Sequence, residues 1–136
     1  MGRRRSGREL ALKWLFQCAV GGGAPDDIIA GTDTTRLARE TVEFARTLFL
    51  GAWEHRNDLD ARIGECAHGW APERMARVDL MLLRMALFEL LYLPDIPASV
   101  TADEAVELAK KYSTAESGRF INGILGNVIR GLPTQA

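Results

Sequence analysis

Histidine and cysteine are scarce in this chain, with two of each among 136 residues, and that scarcity excludes several chemistries at once. His55 and His68 stand thirteen apart, outside any His-Glu-x-x-His pattern. Cys66 and His68 are two apart, which is wrong for two ligands on one helical face, and no second ligand pair accompanies them. All of these read as surface or packing residues, and no metal is expected. With only Cys18 and Cys66 available, each inside a helical pattern, a disulfide framework is not expected either. Both are expected to be reduced thiols of a cytoplasmic protein. Gly21-Gly22-Gly23 lacks the following Lys-Ser/Thr of a phosphate loop, and no Gly-x-Ser-x-Gly occurs. Glu104 and Glu107 pair naturally with Lys110 and Lys111 along a solvated helical face. No catalytic residue and no cofactor site emerges, and the expectation is a protein that is not an enzyme.

Long apolar runs are missing too. The best candidate, Val78–Leu93, is too short for an ordinary membrane span and contains Asp79, Arg84 and Glu89. It reads as a core helix. Glu9, Lys13 and Gln17 interrupt what would be the apolar region of a signal peptide. Alternation with period two is lacking, so strands are not expected.

Helical spacing is what remains. A first helix is predicted from Gly7, with Ser6 and Glu9 as a capping box, to the stop at Gly21-Gly22-Gly23; Ala24-Pro25-Asp26-Asp27 extends the break. A second is predicted from about Thr34 to Trp53, with Leu37, Val42, Ala45, Leu48 and Phe49 inward. A third covers about Asn57 to Ala67, and Pro72 suits the first turn of a short segment. The central helix follows, apolar on nearly every face, and Pro94 and Pro97 lie beyond its end. Within it, Arg84 and Glu89 read as satisfied core or rim polar groups. Thr101 and Glu104 suggest a second capping box, opening a helix with Ala105, Leu108, Ala109 and Tyr112 on one side. The last helix begins near Ser113–Ser117 and carries Phe120, Ile121, Ile124, Leu125, Val128 and Ile129 on one arc. Its opposite side holds Gly123 and Gly126, which in mid-helix imply a close approach, most often by another helix. The reading is one domain over residues 1–136, all-α, a compact bundle of about six to seven helices with an arginine-rich arm at about 1–6.

Charge is distributed unevenly. The chain has 17 Lys+Arg against 18 Asp+Glu, yet residues 1–8 hold Arg3, Arg4, Arg5 and Arg8 and no acid. Cations at a helix N-terminus oppose the helix dipole, so these arginines do not help that helix form. They suit a bound anion, since guanidinium forks and free N–H groups both favour phosphate. On the same helix Leu10, Ala11, Trp14, Leu15 and Cys18 form the apolar stripe, and Phe16 projects almost opposite, near Glu9 and Lys13. Basic charge interleaved with an aromatic suits single-stranded nucleic acid. A disordered basic tail with Phe16 buried is the alternative.

Four blocks of the sequence resemble one family. RELALKWLFQ (Arg8–Gln17) is similar to its opening helix, and RVDLMLLRMALFEL (Arg77–Leu90) to its central helix. EAVELAKKY (Glu104–Tyr112) and SGRFINGIL (Ser117–Leu125) resemble two further blocks in the same order. The family is NusB, the bacterial transcription antitermination factors. The resemblance implies two packed helical subdomains, no catalysis, and binding of boxA-type single-stranded RNA jointly with NusE, a ribosomal small-subunit protein. It also implies work on ribosomal RNA operons, contact with the elongation complex through other Nus factors, no membrane, and a monomer or homodimer. Carried over by position, the RNA surface is Arg3, Arg4, Arg5, Arg8, Phe16, Tyr112, Glu116, Ser117, Arg119 and Phe120, and the NusE contact lies around Asp79. Ser6-Gly7 makes the spacing from Arg5 to Arg8 differ by one from some members, and three positions depart from the pattern. Asp103 stands for the usual Asn, Gly126 for an acid, and Phe16 for Tyr, which keeps stacking and loses a hydroxyl. Two other readings have specific requirements. A NusB-like accessory domain of an RNA cytosine methyltransferase needs a downstream Rossmann domain, and a helical DNA-binding regulator needs a recognition helix rich in Arg, Asn or Gln.

Overall fold

Seven helices account for the regular structure of residues 2–133, the part that the computed structural model describes, apart from one short 3-10 turn. The domain read over 1–136 and the arm read at 1–6 include residues 1 and 134–136, which lie outside the described residues. Helix α1 spans Arg3–Gly21, α2 Pro25–Ala30, α3 Arg39–Glu54 and α4 Arg56–Cys66. The 3-10 turn Pro72–Arg74 leads to α5 (Arg77–Tyr92), then α6 (Ala98–Tyr112) and α7 (Ala115–Arg130). Among the described residues, no helix is long and apolar enough to cross a membrane.

Helices α1 and α3 pack along each other, as do α6 and α7, and α2 covers α1. Between these groups runs α5, which touches α1, α3, α4, α6 and α7. Its run from Asp79 to Leu83 and from Met85 to Leu90 is buried, as expected of a helix apolar all round. Arg84 reaches Asp60 of α4 through two 2.7 Å hydrogen bonds. The stripes predicted for α1 and α7 also enter this core, with Ala11, Trp14, Leu15, Ile121, Leu125 and Val128 all buried.

Several boundaries differ from the sequence reading, each for a local reason. Residues Pro25–Ala30 form α2 where a break was expected. Proline at the first position is pre-set for a helix, and Asp26 and Asp27 complement its dipole. Conversely, α3 starts at Arg39 and not near Thr34, because the Asp33 carboxylate accepts from both the backbone N–H and the hydroxyl of Thr35, a turn that competes with helix. Leu37 is consequently exposed. Neither predicted capping box forms. Helix α1 starts at Arg3, so residues 3–6 of the arm form its first turn, and α6 starts at Ala98, which leaves Ser6 and Thr101 inside their helices. The working cap is Thr114, whose hydroxyl oxygen accepts the Ser117 N–H at 3.0 Å.

The close approaches also fall elsewhere. A Cβ on Gly123 would meet nothing within 4 Å, and one on Gly126 only the Arg130 guanidinium at 3.5 Å, so no other helix explains them. The tight positions are Gly7, against Phe44 and the Thr41 carbonyl, and Gly51, where a Cβ would collide with the Phe88 ring.

Candidate nucleic-acid interface

Long-range ion pairs decide which arginines remain available. Arg8 lies one turn inside α1 and is 2% exposed. Its guanidinium donates to both carboxylate oxygens of Glu89 at 2.9 and 2.8 Å. Glu89, itself 1% exposed, also accepts the Thr101 hydroxyl at 3.0 Å. Arg8 therefore joins α1, α5 and α6 from within, and it is removed from the expected phosphate contacts by burial. Its neighbours stay at the surface. Arg3 meets Glu40 of α3 at 2.9 Å, both side chains well exposed. The Arg4 guanidinium lies 5.3 Å from the centre of the Phe44 ring. Arg5 grips Glu104 of α6 through two bonds of 2.7 and 2.9 Å. That pairing holds the Glu104 carboxyl below its ordinary range and raises Arg5. The exposed Arg3–Glu40 pair contributes little to stability and can exchange its partner for phosphate.

From Arg5 the same face of α1 continues through Glu9, Lys13, Phe16 and Gln17, at helical spacing. It runs beside the C-terminal end of α6. Lys111 donates to Glu9 at 2.8 Å, and the Tyr112 hydroxyl donates to the same carboxylate oxygen. Burial works against the charged form of Glu9, but these two donors outweigh it and its carboxyl is held low. Burial first, then Glu9, pushes the Tyr112 hydroxyl up. Phe16 is 37% exposed, on the polar side where the sequence pattern puts it. With Leu12, Lys13, Gln17, Val78 and Tyr112 it lines a mostly apolar cleft of about 430 Å³. A planar ring can stack in such a cleft while Lys13 and Lys111 face its charged substituents.

The strip does not stop at Val78. The next residue, Asp79, sits in the first turn of α5 and accepts the Ser117 hydroxyl at 3.0 Å. Asp79 is 6% exposed, and its other carboxylate oxygen is buried with no hydrogen-bond partner among the described residues. Burial removes Asp79 as a direct surface contact; it anchors the start of α7 instead. There Glu116 and Arg119 are exposed and Ser117 is half-buried. Phe120, one turn beyond Ser117 on the same face, meets Trp70 edge-to-face with ring centres 5.8 Å apart.

The head of α1, the Phe16–Tyr112 cleft and the start of α7 thus form one continuous strip. Sequence reasoning missed Lys111, Lys13 and Trp70 as members of it. Lys13 and Lys111 carried only the polar-face signal of their helices, and Trp70 carried one of its own, a large aromatic in the His-Gly-Trp-Ala-Pro turn. A separate cavity of about 620 Å³, between the α5–α6 turn and the end of α7, is lined by none of the predicted site residues.

Comparison with known proteins locates this arrangement in a family. A model of the NusB family matches residues 5–130. The transcription antitermination protein NusB of Symbiobacterium thermophilum is 51% identical over 138 residues, covering 95% of this chain and 90% of its own. That of Geobacter sulfurreducens is 45% identical over 135 residues and covers 98% of each chain. Among solved structures, T. maritima NusB superposes with a TM-score of 0.86 at 36% identity, covering 96% of this chain and 92% of its own. A crystal structure of antitermination factors NusB and NusE in complex with dsRNA shares the fold, with a TM-score of 0.87 at 23% identity over 96% and 98% of the two chains.

Proposed function

The chain belongs to the NusB family of transcription antitermination proteins, and from that premise we propose that its strip binds boxA-type single-stranded RNA jointly with NusE. Members of this family are antitermination factors and not enzymes. The proposal extends to the setting: a cytoplasmic factor supporting transcription of ribosomal RNA operons, in contact with the elongation complex through other Nus factors.

One observation carries the reading. The polar face of α1 and the end of α6 line up exposed Arg3, Arg4, Lys13 and Lys111, and half-buried Arg5, with an apolar cleft between Phe16 and Tyr112. Phosphates of a single strand meet the cations while a base enters the cleft, the combination that single-strand recognition uses. In this reading Glu116, Ser117, Arg119 and Phe120 take the strand onward, and Arg8 supports the surface from below. Cations of this kind position a strand without specifying its sequence, so a partner with its own RNA surface raises discrimination. That partner surface is proposed at the start of α5, where Arg77 is exposed and Val78 half-buried above Asp79.

Calorimetry of NusE into this protein, without RNA, tests the partnership. Binding is expected, and Arg77→Glu should weaken it without changing the RNA affinity of the isolated chain. No heat and no co-elution at tens of micromolar, equivalent to about 6–7 kcal/mol, would remove the joint-binding proposal.

A further inference from the structure

We propose that Trp70 and Phe120 form a second aromatic platform, which stacks a base of the bound strand at the end of the strip opposite the arginine head. This inference rests on the single-strand reading above and adds to it a residue, Trp70, that no sequence pattern assigned.

The chain contains three tryptophans. Trp14 is 1% exposed in the core, and its indole N–H donates to the Thr32 hydroxyl at 2.8 Å. Trp53 is half-buried, with the Arg56 guanidinium 4.3 Å from its ring centre. Trp70 alone is 55% exposed, in the turn that joins α4 to the 3-10 turn. Leaving an indole in water forgoes the stabilisation of burial, and this one is held in place there.

The turn is fixed at both ends. Asn127 of α7 donates its side-chain N–H to the Cys66 carbonyl at 2.8 Å, which ties the end of α4 to the helix that carries Phe120. The Trp70 N–H reaches the Ala67 carbonyl at 3.3 Å, and the buried side chains of Ala67 and Met75 bracket the segment. Between them His68 and Gly69 take left-handed backbone (φ 43° and 94°), which reverses the chain and leaves Trp70 outside. The two rings meet at 75°. In an edge-to-face pair one ring contributes its edge, so the pair does not use up that ring's faces. A nucleobase stacks on a ring face, and a ring already held against a partner loses little freedom when it does so.

Local charge favours stacking over phosphate capture as the contact here. Arg119 is exposed beside Phe120, but exposed Glu116 and Glu73 lie on the same two segments. Mixed charge gives no strong phosphate site, whereas stacking is indifferent to it. The strip then has an electrostatic end at the head of α1 and a stacking end at Trp70–Phe120, with the Phe16–Tyr112 cleft between.

Anisotropy titrations of boxA-type single-stranded RNA into the full chain test this with Trp70→Ala, Trp70→Phe and Phe16→Ala. Trp70→Ala should weaken binding by about fivefold to 150-fold, the range of one lost base stack. Its melting temperature should stay near the parent's, and Trp70→Phe should retain most of the affinity. An RNA series with one abasic nucleotide at each position should contain one position at which the Trp70→Ala penalty disappears. If Phe16→Ala weakens binding while Trp70→Ala binds like the parent, the platform is wrong and the RNA reading stands. A penalty that persists at every abasic position, or a loss of NusE binding in place of RNA binding, also overturns the platform. If the parent protein binds no RNA, both readings fall together.

Discussion

Replacing Arg8 with methionine separates a structural arginine from an RNA-binding one. The substitution leaves the Glu89 carboxylate 1% exposed, with the Thr101 hydroxyl as its remaining neighbour from this network. Removing one partner of a buried ion pair costs about 3–5 kcal/mol, because the other charge is stranded in a medium that solvates it poorly. For a chain of this size each kcal/mol lowers the melting temperature by roughly 3–5 °C, so a drop of about 9–25 °C is expected. Adding Glu89→Gln removes the stranded charge and leaves Thr101 an acceptor. The double variant should therefore recover much of the loss. Differential scanning calorimetry reads both. RNA titrations at several salt concentrations, run on the double variant well below its melting temperature, supply the second half of the argument. Each lost phosphate contact flattens the slope of log K against log salt by about 0.7 for a single strand. The double variant should keep the parental slope, whereas substituting Arg3, Arg4 and Arg5 together should flatten it by about 2. An Arg8→Met protein that melts with the parent, combined with a double variant whose slope falls by about 0.7, would refute the structural assignment.

Phe16→Ala should cost about 1–3 kcal/mol of RNA binding by titration, and less in fold stability than the about 1.5–3 kcal/mol of a fully buried phenylalanine. Gly51→Ala should destabilise by about 1–3 kcal/mol through overpacking, since Phe88 is confined by His55 and Tyr92 rings centred 6.1 and 5.0 Å away; an unchanged urea midpoint would contradict this. Glu9 and Glu104 have lowered carboxyl values, so the folded state binds fewer protons than the unfolded one. Their contribution is present above the ordinary carboxylate range near 4.3 and is lost as pH falls through the lowered folded values. Urea midpoints below about pH 4.3 should therefore fall less steeply in Glu9→Gln/Glu104→Gln than in the parent.

Apolar periodicity made the architecture legible. The stripes of α1 and α7 and the all-round apolar α5 belong to a core in which each helix's period is its own record of burial. Phe16 was legible for the same reason, as the aromatic that broke its helix's stripe. What the pattern could not show is which charges meet across the fold. Ser6-x-x-Glu9 and Thr101-x-x-Glu104 both satisfy a local capping rule, yet Glu9 turns to Lys111 and Tyr112, and Glu104 to Arg5. Thr101 turns to Glu89. These partners are 12 to 103 residues distant, and all lie on other helices. Arg8 looked like one of four equivalent arginines for the same reason. Its acceptor, Glu89, lies 81 residues away. Trp70 was overlooked because a turn has no period against which an exposed aromatic stands out.

Joint recognition of RNA by this protein and NusE is tested by one closed thermodynamic cycle. Calorimetry of boxA-type RNA is run into this protein, into NusE and into their mixture, and NusE is run into this protein with and without RNA. The pair should bind RNA more tightly than either protein alone, and RNA should tighten the NusE complex by the same factor, as linkage requires. A mixture that binds RNA no better than the stronger of its two components would contradict joint recognition.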